Sequence, residues 1–374
     1  MTERTRRLAM SIKHIDQATY NPLIAGSQMT IAFTDLTADQ KSGLANYFAQ
    51  HNQSFITLGN QDLLQITHRD LETVIANFKQ GSVIATDELE AIYKDSQIFF
   101  AAGNRSFDIT DKPMIHSIMN LSPESFYDGK DHNLKEYLGR IEEQIAMGIS
   151  FFDIGGKSTN PKAGDMSADE EFSRMEPYLK EIRKAFPDII LSVDSNNPIT
   201  IERALDHGVQ VINSISGFDT PEMLDLVERY QAPVITTYNN RDKPTDNVHQ
   251  SLLDYLDNQV SELKARSLKD ENIILDPGVG FTSRYEGITK EEIAAEDVTK
   301  IKAIRAMADR RLPILVGVSN KSFMGTLFDR EIDDRLISSL LVEYNMVMNG
   351  GRLIRVHNIE ETRLLMDIFN TLAL

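Results

Sequence analysis

The 374-residue chain has no cysteine at all. That excludes disulfides, thiolate metal ligands and a cysteine nucleophile, and it fits a reducing compartment. Positive charge is also scarce. Against 56 Asp and Glu stand 39 Lys and Arg, a formal charge of −17. Nonspecific nucleic-acid binding needs a cationic surface, so this balance argues against it. A small anionic substrate is not excluded, because it needs only a local cluster of cations. No apolar run approaches the roughly 20 residues that span a bilayer. The opening Met-Thr-Glu-Arg-Thr-Arg-Arg leads into no long apolar stretch, unlike a secretory signal. The expectation is a cytoplasmic protein with no membrane or nucleic-acid partner.

What is present is ordinary for a folded protein: 41% hydrophobic and 25% charged residues. The length suits one large domain with a smaller one. Residues 1–95 read as a small α+β domain of structural or interaction character, without a cluster of chemically active groups. Met29–Phe33, Ser54–Leu58 and Gln61–Thr67 have strand character. Thr37 caps a helix running to Phe48, and Asp70–Lys79 and Glu88–Lys94 suit helices.

From Ser96 to the end, residues 96–374, the pattern becomes regular. Gln97–Ala101 and Ser106–Ile109 flank the turn signal Gly103-Asn104-Arg105 and predict a hairpin. Eight short apolar strands follow: Met114–Met119, Ser150–Ile154, Ile189–Val193, Gln210–Ile212, Val234–Thr236, Ile273–Leu275, Ile314–Val316 and Arg352–Val356. Amphipathic helices separate them, with Leu134, Leu138, Ile141 and Ile145 on one face, and Leu252, Leu256, Val260 and Leu263 on another. Gly148, Gly208 and Gly350 or Gly351 stop the helices that lead into strands. Eight strand–helix units in this length predict a (β/α)8 TIM barrel preceded by a hairpin plug. A doubly wound open sheet is the alternative.

The polar residues at the strand ends carry the functional signal. Asn120 ends the first strand, the second contains Asp153, and Asp194 and Asn213 end the third and fourth. Asp276 ends the sixth, Ser319-Asn320-Lys321 follows the seventh, and Arg355 and His357 lie on the eighth. A barrel brings all of these to one rim, where such folds bind ligands. Each alone reads as a cap or turn residue; their coincidence at seven strand ends does not.

These segments resemble the dihydropteroate synthase family, from Phe99 to the C-terminus. Asn120-Leu-Ser-Pro-Glu-Ser-Phe-Tyr-Asp-Gly129 is similar to the family's Asn-Val-Thr-Pro-Asp-Ser-Phe-Ser-Asp-Gly loop. Asp153-Ile-Gly-Gly-Lys-Ser-Thr-Asn-Pro161 resembles Asp-Ile-Gly-Gly-Glu-Ser-Thr-Arg-Pro, and Asp276-Pro-Gly-Val-Gly-Phe281, Gly317-Val-Ser-Asn-Lys-Ser-Phe323 and Ile354-Arg-Val-His357 complete the set. The resemblance implies a pterin pocket of Asp194, Asn213, Asp276 and Lys321. It implies a diphosphate and Mg2+ site with Asn120 as the metal ligand and Arg355 and His357 beside it. It also implies a 4-aminobenzoate pocket of Phe126, Ser158, Thr159, Pro161 and Ser322. Catalysis would rest on Asp194, Asp276, Lys321, Arg355 and His357: diphosphate leaves the pterin methylene and the amine of 4-aminobenzoate attacks that carbon. Sulfonamides would compete with 4-aminobenzoate.

The departures are specific. Asn160 and Asn320 stand where the family carries arginines, and Thr282-Ser283 replaces a Gly-Lys pair. Thr237-Tyr238-Asn239 departs from the usual Met and His. Lys157 is the candidate to restore the lost charge at the diphosphate. These changes keep open a pterin-binding homologue without synthase activity and a folate-dependent methyltransferase of the same superfamily. A homodimer through the last helices is the implied assembly. The apolar stripe Ile337, Leu340, Leu341, Tyr344 and Met348 fits either that contact or, as the simpler reading, the barrel core.

Overall fold

The computed structural model describes residues 11–15, 28–51, 53–81, 86–121, 134–157 and 166–372. The calls on Phe126, Ser158, Thr159, Asn160 and Pro161 lie outside these residues. By contacts the chain divides into two compact units, Met1–Gln97 and Ile98–Ala373.

In the first unit, β1 (Ser11–Ile15), β2 (Gln28–Thr34), β3 (Ser54–Leu58) and β4 (Gln61–Thr67) form an antiparallel sheet of order β1-β2-β4-β3. Three helices accompany it: α1 (Ala38–Gln50), α2 (His68–Gly81) and α3 (Asp87–Asp95). Thr37 starts α1 through a capping box with Gln40, which satisfies two otherwise orphaned N–H groups. Ile31, Phe33, Leu44, Phe48, Leu64, Phe78 and Leu89 form its core. The sequence reading missed β1, whose Ser-Ile-Lys-His-Ile composition carries little apolar signal. Pairing with Thr30–Thr34 makes it a strand.

The second unit opens with a hairpin, β5 (Phe99–Ala102) and β6 (Arg105–Asp108). Eight parallel strands follow: β7 (Met114–Ile118), β8 (Phe151–Ile154), β9 (Ile190–Asp194), β10 (Val211–Ser214), β11 (Val234–Thr237), β12 (Ile273–Asp276), β13 (Leu315–Val316) and β14 (Leu353–Val356). Neighbours in sequence are neighbours in the sheet, and β14 pairs with β7. A bridge between Leu275 and Ile314 joins β12 to the β13 side and closes the ring. The helices after successive strands are α4 (Leu134–Ala146), α5 (Ala168–Ala185), α6 (Pro198–Asp206), α7 (Pro221–Tyr230), α8 (Val248–Ala265), α9 (Lys290–Ala308), α10 (Phe323–Phe328) with α11 (Leu336–Met348), and α12 (Ile359–Leu372). This is a (β/α)8 barrel.

The inside of the barrel is layered. Phe100 and Ala102 of the hairpin pack with Phe151, Ile190, Val211, Ile235, Ile274, Leu315 and Leu353 as an apolar floor. Two residues further along five of these strands, on the same inward face, stand Asp153, Ser192, Asn213, Asp276 and Arg355. The period of two therefore turns an apolar plug into a polar mouth within one turn of the pleat.

Two packing expectations change. On α4 the fully buried positions are Tyr137, Ile141 and Gln144, with Leu138 and Ile145 at the margin. Tyr137 donates to the carbonyl of Met119, and Ser117 Oγ to Gln144 Oε1 at 2.5 Å. These polar anchors rotate the helix relative to its purely apolar face. On α11 the core reading of the apolar stripe holds for Tyr344 and Met348, which pack against the barrel core, and fails for Ile337 and Leu341. The helix buries Ser339, Glu343, Met346 and Val347, while Ile337 and Leu341 are 72% and 66% exposed.

Candidate active site

The centre of the mouth is Asp153, fully buried on β8. Its Oδ2 accepts from Arg355 Nε at 2.8 Å, from Arg355 Nη2 at 2.6 Å and from Asn213 Nδ2 at 3.0 Å. Its Oδ1 accepts from Ser192 Oγ. Burial alone would raise the pKa of this carboxyl, but Arg355, His116 and these donors outweigh it and hold the group below its usual range. His116 lies beneath, with Nε2 2.8 Å from Ser192 Oγ, stacked on Phe151. Burial drives its imidazole down to about 4, so it is neutral near pH 7.

Arg355 extends from Asp153 to a second carboxylate, Asp194, whose Oδ2 lies 2.8 Å from Nη2. Burial pushes the Asp194 carboxyl up, and the neighbouring Asp153 and Glu171 add to the rise. One arginine thus orders two acids that lie on adjacent strands, and the cluster carries more potential negative charge than it neutralises. Such a cluster favours a donor-rich or cationic ligand.

Asp276 supplies the sixth-strand part of the mouth. Its Oδ1 accepts from the N–H of Gly278 at 2.8 Å and its Oδ2 from Thr237 Oγ1 at 3.3 Å. Burial raises this carboxyl as well. Gly278 has φ +71°, and a Cβ there would sit 1.7 Å from the Tyr238 carbonyl oxygen, so the turn after β12 admits only glycine. Gly280, φ +89°, leaves room for Lys321, whose Cδ and Nζ lie 3.0 Å from where its Cβ would be. Lys321 Nζ stands 5.0 Å from the centroid of Phe281. Burial and Arg355 lower its pKa, against the pull of Asp276 and Asp297.

Helix α9 holds this turn from behind. Lys300, fully buried, donates to the carbonyls of Gly278 at 3.1 Å and Phe281 at 2.8 Å. Asp297 accepts from Gly280 N–H at 2.7 Å and Thr282 Oγ1 at 2.6 Å. Burial lowers Lys300 to about 8. The sequence reading found neither residue, because both lie in a charged helix that gives no strand-end signal. It named Asp153 on the rim without a role and missed His116 and Ser192. All three follow from the inward period of two.

The remaining predicted residues divide. His357 sits at the open edge of the mouth, with Nδ1 3.2 Å from Ser319 Oγ. Desolvation, with Arg355 and Lys321 adding to it, depresses its pKa to about 4, although the residue as a whole is exposed. Lys157 lies past Gly156, close enough to Glu171 to stabilise that buried carboxylate. Ser322 is exposed at the start of α10, directly after Lys321. Asn120 ends the first strand with Oδ1 buried and without a hydrogen-bond partner among the described residues. A lone carbonyl oxygen is what a hard cation takes as ligand, particularly one that keeps waters and substrate oxygens in its other positions. The residues present therefore fit Mg2+. Among the described residues no group of three or more His, Asp or Glu forms a metal cage.

A closed barrel whose C-terminal rim gathers acids, an arginine and a lysine defines an enzyme of the (β/α)8 class. The family described as pterin binding enzyme matches residues 116–357, inside the second unit. A dihydropteroate synthase of Clostridium beijerinckii is 30% identical over 262 residues, covering 69% of this chain and 94% of that protein. The Haemophilus influenzae dihydropteroate synthase is 28% identical over 280 residues, 73% of this chain and 98% of that one. Among solved structures, the Yersinia pestis dihydropteroate synthase in a sulfonamide drug complex superposes with a TM-score of 0.65 at 27% identity, covering 73% of this chain and 98% of its own. The chain belongs to the pterin-binding enzyme family and, within it, to the dihydropteroate synthases, transferases of folate biosynthesis.

Proposed function

We propose that the protein joins 6-hydroxymethyl-7,8-dihydropterin diphosphate to 4-aminobenzoate, giving 7,8-dihydropteroate and diphosphate. The observation that carries this reading is the arrangement of Asp194, Asn213, Asp276 and Lys321 around Arg355, matching the edge of a pterin. The pterin's amino and ring N–H groups donate to Asp194 and Asp276, its carbonyl accepts from Lys321, and Asn213 completes the set. A pocket of buried, directional groups rejects rings that lack the same pattern.

In the reaction the amine nitrogen of 4-aminobenzoate bonds to the exocyclic methylene carbon. The carbon–oxygen bond to diphosphate breaks with its electron pair leaving on oxygen, and the amine gives up a proton. No covalent enzyme intermediate is needed. Cationic character developing on the pterin is stabilised by Asp194 and Asp276, which are already in position before the bond breaks. Arg355 is restrained by two acids, so it presents its remaining donor surface to the leaving group in a fixed orientation, and His357 adds a donor at the rim. Asn120 would hold Mg2+, which would supply charge neutralisation for the leaving group.

Sulfonamides mimic 4-aminobenzoate and compete for its pocket in this reading; the Yersinia pestis relative was solved with such a drug. A homodimer is supported by the apolar residues Ile337 and Leu341 on α11 and Leu364 and Ile368 on α12, all exposed on neighbouring helices. A cytoplasmic setting agrees with the absence of cysteine. The deciding assay supplies purified protein with the pterin diphosphate, 4-aminobenzoate and Mg2+ and follows diphosphate. Release that requires both substrates supports the synthase; pterin binding without release would overturn it.

A further inference from the structure

His116 on β7 is fully buried beneath the mouth, at a level where neighbouring strands supply apolar side chains such as Phe151, Ile190 and Val211. Strand register sets it between Arg355 of β14 and Phe151 of β8, and its ring stacks on Phe151 with 3.8 Å between centroids. An apolar residue would fill this position without burying a polar atom. A histidine buries two ring nitrogens, and Nδ1 has no hydrogen-bond partner among the described residues. Leaving such a group unpaired is costly, so packing alone does not account for the residue.

The other nitrogen is engaged. Nε2 lies 2.8 Å from Ser192 Oγ, which also contacts Asp153 Oδ1. A serine hydroxyl has one proton to give, and an ionised carboxylate can only accept. Although burial opposes it, Arg355 holds Asp153 ionised, so the Ser192 proton points to that carboxylate. Burial keeps the imidazole neutral, with a single ring proton. Nε2 must then donate to Ser192, which fixes the Nε2–H tautomer and leaves Nδ1 as a bare acceptor. The lone nitrogen is a consequence of the bond that the other one makes.

From His116 the donors run in one direction. His116 donates to Ser192, and Ser192 to one oxygen of Asp153. The other oxygen accepts from Arg355 and Asn213, and Arg355 goes on to Asp194. Each oxygen of Asp153 is thus held from its own side, and the carboxylate cannot turn about its last bond. Hydrogen bonds in such a chain polarise one another, so a donor at the far end strengthens the bond that follows.

We propose that His116 is a positioning residue of the transfer reaction, acting through Ser192 to lock the Asp153 carboxylate that orients Arg355. The proposal rests on the synthase reading above. His116 is connected to Arg355 only by way of Ser192 and Asp153, so its effect falls on the aim of the guanidinium at the leaving group. Binding of the second substrate is left alone.

The variants H116Q and H116M test it, because both lose the ring and differ in whether a donor stands near the place of Nε2. H116M is expected to lower kcat for diphosphate release about tenfold, with the KM for 4-aminobenzoate within about twofold, and H116Q to recover most of that loss. S192A breaks the same link, so H116M in the S192A background should cost little more than S192A alone. Equal rates in H116Q and H116M, or an H116M penalty that persists in full beside S192A, would overturn the proposal and leave His116 a packing residue. Thermal unfolding and calorimetric pterin binding of each variant separate a lost fold from a lost rate. The unmodified protein supplies an independent readout: nitrogen–proton correlation spectra of histidine-labelled protein should show His116 as the Nε2–H tautomer. An Nδ1–H tautomer would overturn the assignment whatever the variants do. Absence of diphosphate release by the unmodified protein would overturn the synthase reading instead, with the tautomer unaffected.

Discussion

Two nitrogens of Arg355 converge on a single oxygen of Asp153, Nε at 2.8 Å and Nη2 at 2.6 Å. The other carboxylate oxygen is held by Ser192. Asp153 therefore acts on the orientation of Arg355, which in turn reaches Asp194. Replacing it by Asn removes the charge that holds the guanidinium while keeping the shape. D153N is expected to lower kcat/KM by at least about tenfold and stability by about 3 kcal/mol, the scale of breaking a buried ion pair. Thermal unfolding and steady-state rates check both, and an unchanged rate would remove Asp153 from the machinery.

The turn after β12 makes a steric prediction. In G278A the new Cβ has to displace the Tyr238 carbonyl, so roughly 3 kcal/mol or more of stability is lost. G280A meets only the Lys321 side chain, but an L residue at φ +89° still strains the backbone, by on the order of 1 kcal/mol. It should remain folded yet bind pterin more weakly. Urea unfolding and calorimetric titration with a pterin distinguish the two, and equal behaviour of the variants would contradict the geometry.

The Asn120 oxygen, without a hydrogen-bond partner among the described residues, predicts a metal effect. N120A should shift the Mg2+ concentration for half-maximal rate upward on the order of tenfold, about 1.4 kcal/mol. An unchanged Mg2+ profile would assign the metal elsewhere. The readout is rate against free Mg2+ at saturating substrates.

Ile337 and Leu341 face outward, so charges there spare the barrel core. The double variant I337D/L341D should sediment as a monomer while the unmodified protein sediments as a dimer. A monomeric unmodified protein at micromolar concentration would remove this surface from consideration.

Glu343 gives a pH prediction with a definite sign. It is buried between α11 and α12, accepts from Thr362 Oγ1 at 3.1 Å, and burial raises its pKa from the ordinary 4.5 to about 7. The folded state binds the extra proton between those values. Its contribution is therefore fully favourable below about pH 4.5 and is lost as pH rises through 7. E343Q should raise stability at pH 8 by about 1–3 kcal/mol relative to its effect at pH 4.5. Melting curves at the two pH values decide it; the same shift at both would mean the carboxylate is not strained.

Much of the fold was legible because parallel barrel strands are buried and short. Each of the eight lies within one or two residues of its predicted place. The exceptions have local causes. Ser11–Ile15 lacks apolar weight and becomes a strand by pairing with β2. The α11 stripe divided, with Tyr344 and Met348 against the core and Ile337 and Leu341 outward, because composition does not say which of two faces a helix turns inward. Polar anchors such as Ser339, whose Oγ accepts from the N–H of Asn320 at 3.0 Å, help settle that.

The sequence by itself determined the barrel, its polar rim and the family, since strand period and strand-end residues are local properties of the chain. Tertiary structure alone decided which partners the long side chains take. Arg355 chooses Asp153 and Asp194 because ring closure sets β14 beside β7 and faces it toward β8 and β9. Lys300 and Asp297 reach the β12 turn because α9 packs behind it. Contacts of that kind depend on distances across the fold, and no spacing along the chain encodes them.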